Sequence, residues 1–221
     1  MITVGGECPG RETELAEIAR RTARSAATTG VLDVLLVIGE PGVGKSALVR
    51  RAAEVSTAGV WRAHPAAWET DTPGSMLGQL LPRAVADRIS LDASAVAIAD
   101  AIADQIGAAT DDAPSLLIVD DADVADPLSI QSLISLTRRH RDLPLLVVLV
   151  ARRASGPLAD LDADRMGLGG LDSAAVAEIA RGRGHTLHPT MAARLTHHTA
   201  GNPRDVVALL DELPPGFDFN G

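Results

Sequence analysis

Hydrophobic positions along this chain recur with two periods, and the change from one to the other marks the elements. From Arg11 to about Thr28, Leu15, Ile18, Ala19 and Ala26 fall at helical spacing and predict an amphipathic helix. Val31 to Ile38 is apolar at every position but Asp33, as in a strand covered on both faces. A glycine-rich loop comes next, then a helix from about Lys45 to Ser56 and a short strand from Gly59 to Ala63. Residues 64–73, with Pro65 and Pro73, read as a loop. Ser75 to Ile89 and Asp92 to Ala109 read as helices, with Asp92 as N-cap. Ser115 to Val119 predicts a third buried strand, ending in Asp120-Asp121. Pro127 to about Arg141 predicts a helix with proline in its first turn. Leu145 to Val150 is a fourth strand, and Arg165 to Leu171 holds a short fifth.

Strands alternating with helices dictate an α/β fold with a parallel five-stranded sheet flanked by helices. From Ser173 to Leu213 the pattern is purely helical, broken by Gly and Pro. A boundary near 170 is therefore expected, with residues 1–170 as the α/β core and 171–221 as a small C-terminal helical lid. No internal repeat or low-complexity tract is present.

Composition narrows the function. The 221 residues are 46% hydrophobic and 2% aromatic, so the core is built from Ala, Leu, Val and Ile. The net charge of −9, with no basic stripe, argues against non-specific nucleic-acid binding by this chain, since phosphate contacts need clustered Lys and Arg. The single cysteine, Cys8, excludes an internal disulfide and fits a reducing compartment. There is no cationic stretch followed by an apolar run at the N-terminus, and the longest apolar run, Leu143 to Ala151, contains a proline and is too short to span a membrane. A soluble, cytoplasmic protein without membrane partners is expected.

Lys45 is the only lysine; every other basic residue among the 20 Lys+Arg is arginine. It stands in Gly39-Glu40-Pro41-Gly42-Val43-Gly44-Lys45-Ser46, which satisfies G-x-x-x-x-G-K-[ST] at each fixed position. A compact ammonium was kept at the one place where a planar guanidinium cannot replace it. Strand, glycine loop and helix N-terminus in that order give the motif its mechanism. Glycines let backbone N–H groups converge on phosphate oxygens, and the helix end adds about half a positive charge. Gly39, Glu40, Pro41, Gly42, Val43, Gly44, Lys45, Ser46 and Ala47 are thus the expected phosphate contacts, in a P-loop NTPase fold. Lys45 would bridge the β- and γ-phosphates, and the Ser46 hydroxyl would ligate Mg²⁺.

Leu116-Leu117-Ile118-Val119-Asp120-Asp121 is an apolar strand ending in two acids, a Walker B pattern. Asp120 is the expected Mg²⁺ ligand, and Asp121 the group to polarise the attacking water. Asp123 and Asp126 read as loop residues and helix caps. Asp71-Thr72-Pro73-Gly74 matches the D-x-x-G pattern of GTPases but follows no buried strand. An N-K-x-D guanine motif is impossible when the only lysine is Lys45, so the nucleotide is expected to be ATP or ADP rather than a guanine nucleotide.

The fourth strand ends in Ala151-Arg152-Arg153. If that strand lies between the acid strand and the loop strand, Arg152 comes beside the γ-phosphate and can stabilise its charge. In Gly201-Asn202-Pro203-Arg204, Asn202 caps the last helix, Pro203 fills its first position, and Arg204 is placed to reach the phosphates from the lid. His185, His188, His197 and His198 lack a carboxylate at ligand spacing, so a zinc site is not expected. Arg138, Arg139 and Arg141 suit a helix C-terminus, and Cys8 reads as inert.

Taken in order, Gly10-Arg11-Glu12 with Glu14-Leu15, the Gly39 to Ser46 loop, Asp120-Asp121-Ala122-Asp123, Ala125-Asp126-Pro127, Ala151-Arg152 and Gly201-Asn202-Pro203 resemble the motifs of STAND-class AAA+-like ATPases. The set most resembles the ATPase module of large ATP-binding LuxR-type transcriptional regulators of actinobacteria, over nearly all of 10–213. The resemblance implies that Arg11 lies by the adenine and that Pro203 brings the lid over the nucleotide. It also implies a nucleotide-controlled switch that can self-associate. Three features depart from that pattern. Asp123-Val124 replace the usual His-Trp, and Arg204 stands where an apolar residue is usual, like the second sensor of origin-recognition and clamp-loader AAA+ proteins. The long helical-repeat region and C-terminal helix-turn-helix are missing, which implies an excised domain or a stand-alone ATPase. Any DNA contact is expected to lie in domains outside this chain.

Overall fold

The computed structural model of the protein describes residues 8–27, 31–81, 93–110 and 113–213. Five strands, β1 (Asp33–Ile38), β2 (Gly59–Ala63), β3 (Ser115–Val119), β4 (Leu145–Ala151) and β5 (Asp164–Gly167), make one parallel sheet in the order β2-β3-β4-β1-β5. The helices are α1 (Glu12–Ala27), α2 (Lys45–Val55), α3 (Leu77–Leu80), α4 (Ala95–Thr110), α5 (Pro127–Arg139), α6 (Ser173–Gly182), α7 (Pro189–His198) and α8 (Pro203–Asp211).

Successive side chains of a strand face opposite ways, and the core divides accordingly. Val34, Leu36, Leu117, Val119, Val147 and Leu149 face Ile98, Ile102 and Ile106 of α4 and Leu133 and Leu136 of α5. Their neighbours Leu35, Val37, Leu116, Ile118, Val148 and Val150 face Ile18 of α1 and Leu48, Val49 and Ala52 of α2. Each fully buried Leu, Ile or Val stabilises by roughly 1.5–3 kcal/mol, so the unbroken apolar runs of β3 and β4 specify the centre of the sheet. β2, mostly exposed, lies at one edge. Leu171, Ala175, Val176, Ala180, Val206 and Leu210 form a separate small cluster among α6, α7 and α8.

The register fixes what meets at the carboxyl ends of the strands. Ile38 pairs with Ala151, Val119 with Leu149, and Ala63 with Val119. The residues that follow β1, β2, β3 and β4 therefore emerge together at that end, where open parallel sheets bind ligands.

Some boundaries differ from the sequence pattern. β5 stops at Gly167. Leu168 N–H still donates to Ile38 O (2.7 Å), but Leu171 N–H turns instead to Gly201 O (2.8 Å). Helix α5 ends at Arg139 because residues 140–144 turn, and Arg141 O accepts from Leu32 N–H (2.9 Å). Of the helix expected over 75–89, residues 77–80 are helical; residues 82–89 lie outside the described residues, as does the expected cap Asp92. Helix α4 starts at Ala95, and the Ser94 hydroxyl accepts from Ala97 N–H (3.2 Å).

Candidate functional site

The loop from Gly39 to Gly44 joins β1 to α2. Gly42 (φ 86°) and Gly44 (φ 99°) are left-handed, a conformation that a side chain opposes. Gly42 is constrained twice, since a methyl group there would lie 2.7 Å from Asn202 Oδ1 and 2.9 Å from Arg204 Cβ. Lys45 opens α2 and is only 8% exposed. Its Nζ donates to Gly39 O (2.7 Å) and Glu40 O (3.1 Å). Burial pulls the ammonium pKa below its ordinary value, while the charges of Asp121, Asp123 and Asp120 push the other way.

A cavity of about 380 Å³ opens over this loop. Pro41, Gly42, Gly44, Lys45, Ser46 and Ala47 line it, with Asp121 from the end of β3, Arg152 from the end of β4 and Arg204 from α8. Left-handed glycines, one ammonium and two guanidinium groups around a cavity this size fit a polyphosphate anion. Asp121 is itself left-handed (φ 55°), a strained state for a non-glycine residue, and its side chain borders the cavity. Asp120 borders an adjoining cleft, of about 270 Å³. Ser46 borders both, so it shares a cavity with each of the two acids. Such oxygen donors suit Mg²⁺.

One neighbour of the acids carried no motif. His64 follows β2 and lies 3.8 Å from Asp120 (Nδ1 to Oδ2) and 4.0 Å from Asp121 (Nε2 to Oδ2). The Gln79 amide fixes its backbone, accepting from His64 N–H (2.8 Å) and donating to His64 O (3.1 Å). The signal was positional: once β2 is known to pair with β3, the residue after Ala63 must face the residue after Val119.

The remaining expected residues fall around the loop. Asp123 Oδ2 lies 3.8 Å from Arg152 Nε, which tethers the β4 end to the turn after the acids. Pro203 packs beside Gly44. Arg11 is buried behind the loop. Its guanidinium donates to Glu14 Oε1 (3.0 Å), Val43 O (3.1 Å) and Gly169 O (2.5 Å). Cys8 lies against Ala47 O (3.6 Å), and burial raises its thiol pKa, so the reactive thiolate is disfavoured. Among the described residues no group of three or more His, Cys, Asp or Glu is placed to hold a metal ion. Asp71 to Gly74 form a turn leading into α3, with Gly74 left-handed (φ 77°).

A parallel sheet in this order, with a glycine loop between β1 and α2 and acids ending β3, defines a P-loop NTPase fold. Within that class, the chain belongs to the AAA ATPase domain family, whose sequence profile matches residues 7–148. The family is one of nucleotide-binding ATPases that generally work with Mg²⁺. Solved structures share the fold. Cdc6p from Pyrobaculum aerophilum aligns with a TM-score of 0.60 at 16% identity, over 92% of this chain and 59% of that one. The RuvB Holliday junction branch migration motor of Thermotoga maritima aligns with a TM-score of 0.54 at 16% identity, over 92% and 61%. A signal transduction ATPase with numerous domains (STAND) and a tetratricopeptide repeat sensor, from Pyrococcus horikoshii, aligns with a TM-score of 0.57 at 19% identity, over 94% and 30%. The chain thus spans about six tenths of the first two and three tenths of the third. A comparison with curated proteins finds no match. No helix among the described residues is long and apolar enough to cross a membrane.

Proposed function

We propose that this chain is a cytoplasmic ATP-Mg²⁺-binding switch module with weak or conditional ATPase activity, belonging to a LuxR-type transcriptional regulator. The observation that carries the nucleotide reading is the convergence of Lys45, Ser46, Asp121, Arg152 and Arg204 on one cavity of about 380 Å³. In this reading residues 1–170 are the nucleotide-binding core and 171–221 the lid. Lys45 lies on the β- and γ-phosphates, and Arg152 and Arg204 offset charge on the γ-phosphate from the core and lid sides. Ser46 and Asp120 hold Mg²⁺, which supplies neutralising charge to the phosphates when bound. The Asp121 carboxylate accepts the proton of the attacking water. An aspartate at this position reaches less far than a glutamate, which motivates slow turnover. The ordered motifs and the shared fold of a STAND ATPase support the regulator context. The net charge of −9 fits DNA contacts made by other domains.

Arg204 on the cavity, with the shared fold of Cdc6p, favours one alternative: an AAA+ ATPase of the origin-recognition or clamp-loader kind, acting in an oligomer. ATP-dependent ring formation in light scattering would favour it over the switch. The nucleotide reading is tested by calorimetric titration of ATP-Mg²⁺ into wild type and Lys45→Ala. Loss of binding in the variant is expected, and unchanged binding would refute the site.

A further inference from the structure

A peptide unit is planar and trans, so fixing the direction of its carbonyl fixes its N–H on the opposite side. A phosphate loop offers N–H groups to an anion only while its carbonyls are held outward. Here every carbonyl from Gly39 to Val43 has a donor. Lys45 Nζ serves Gly39 O and Glu40 O. The Asn202 amide donates to Pro41 O (3.0 Å), the Arg204 N–H to Gly42 O (3.3 Å), and the Arg11 guanidinium to Val43 O (3.1 Å). Three of these donors come from outside the loop and its helix, and two of the three lie in the turn that starts α8. The peptides held by Asn202 and Arg11 carry the N–H groups of Gly42 and Gly44. Among the described residues, neither of those N–H groups donates to a protein group.

Resting on the nucleotide reading, we propose that Asn202 and Arg11 are positioning residues for the polyphosphate: they hold the Pro41 and Val43 carbonyls outward and so aim the Gly42 and Gly44 N–H groups at the anion. Neither acts by touching the base. Lid and loop are then coupled in both directions. Undocking the α8 turn frees two loop carbonyls and weakens phosphate binding. By linkage, bound phosphate holds the lid down. The lid is further interlocked with the core where Gly170 packs on the Ala200 carbonyl and against Gly201, contacts that leave no room for a side chain. Arg11 joins the same junction through Gly169 O.

Asn202→Ser tests this. A serine hydroxyl still caps α8 but is too short to reach Pro41 O. Calorimetry with Mg²⁺-tripolyphosphate and with Mg²⁺-ATP should show both ligands weakened by a similar factor, about five- to tenfold for one lost hydrogen bond, with the ligand-free Tm little changed. Arg11→Lys keeps the charge but loses the planar fork whose Nη1 is held by Glu14 while its Nη2 serves both Val43 O and Gly169 O, and should give the same parallel loss. Tripolyphosphate should protect amides of residues 199–206 from hydrogen exchange in wild type and protect them less in Asn202→Ser, a change that a purely structural role would not produce. A loss of ATP affinity with tripolyphosphate binding intact would show a base contact and overturn the proposal. Wild-type affinity of both variants for both ligands would overturn it too. Wild type that binds neither ligand would overturn the nucleotide reading itself, and this proposal with it.

Discussion

Asp126 shows what one side chain can fix that its sequence position hides. As the cap of α5 it accepts from Ser129 N–H (3.0 Å), which its place before Pro127 announced. It is also only 1% exposed, and its carboxylate accepts from Gly74 N–H (2.7 Å), the Ser129 hydroxyl (2.5 Å), the Ser75 hydroxyl (3.3 Å) and Met76 N–H (3.4 Å). Burial alone would raise its pKa, but these hydrogen bonds outweigh it and the pKa falls below the ordinary carboxylate value. A lowered folded-state pKa gives stability that is fully present above the unfolded value, near 3.9, and is lost as pH falls through the folded value. Asp126→Ala leaves several buried donors without a partner and should cost about 2–4 kcal/mol, read as a lower urea midpoint at pH 7. The gap between variant and wild type should narrow below about pH 4; a gap independent of pH would refute the charged form as the anchor. The cap was legible because it is local. The link to residues 74–76, some 50 positions away, was not, because it depends on which loop lies over the start of α5. His64 was missed for the same reason: no local pattern marks a residue whose partners lie on the neighbouring strand.

At the scale of elements, the legible part was what side-chain period alone decides. Val31 to Ile38 reads as covered on both faces, and Val34 and Leu36 pack on one side of the sheet while Leu35 and Val37 pack on the other. Strand order was legible only through chemistry: placing Arg152 by the γ-phosphate required β4 between β3 and β1, which is the order observed. Boundaries were less legible, because they are set by tertiary partners. The end of β5, for example, follows from Leu171 N–H pairing with Gly201 O rather than with β1. The contrast between centre and edge gives a test. Val148 in β4 is fully buried among Val37, Leu48 and Ile118, whereas Val60 in the edge strand β2 is 36% exposed. Val148→Ala removes two methyl groups and leaves a cavity, so it should cost about 2–3 kcal/mol. Val60→Ala should stay within about 0.5 kcal/mol. Comparable urea midpoints for the two variants would mean that the core does not lie where the sheet order puts it.

For the whole molecule, the question is how tightly the nucleotide couples to the fold that surrounds it. The loop is held from the start of α1 through Arg11, from its own helix through Lys45, and from the start of α8 through Asn202 and Arg204. A ligand that braces all of these binds only the folded state. It should therefore stabilise by mass action, about 2.7 kcal/mol at a hundredfold excess over Kd. For a chain of this size that is a rise in Tm of roughly 5–10 °C. Lys45→Ala should show no such rise, since its anion site has lost the ammonium. Using ATP and ADP separately makes the same measurement informative about turnover. A slow hydrolase keeps ATP through the scan and should give a shift distinct from that of ADP, because in the proposed reading Arg152 and Arg204, which line the cavity, would meet a γ-phosphate in only one of the two. A fast hydrolase would give the ADP shift from either nucleotide and release phosphate during the scan. A distinct ATP shift without phosphate release favours a module that holds its nucleotide as a signal. Coincident shifts with phosphate release favour a motor, and would locate the activity in this chain rather than in a partner's contribution to the site.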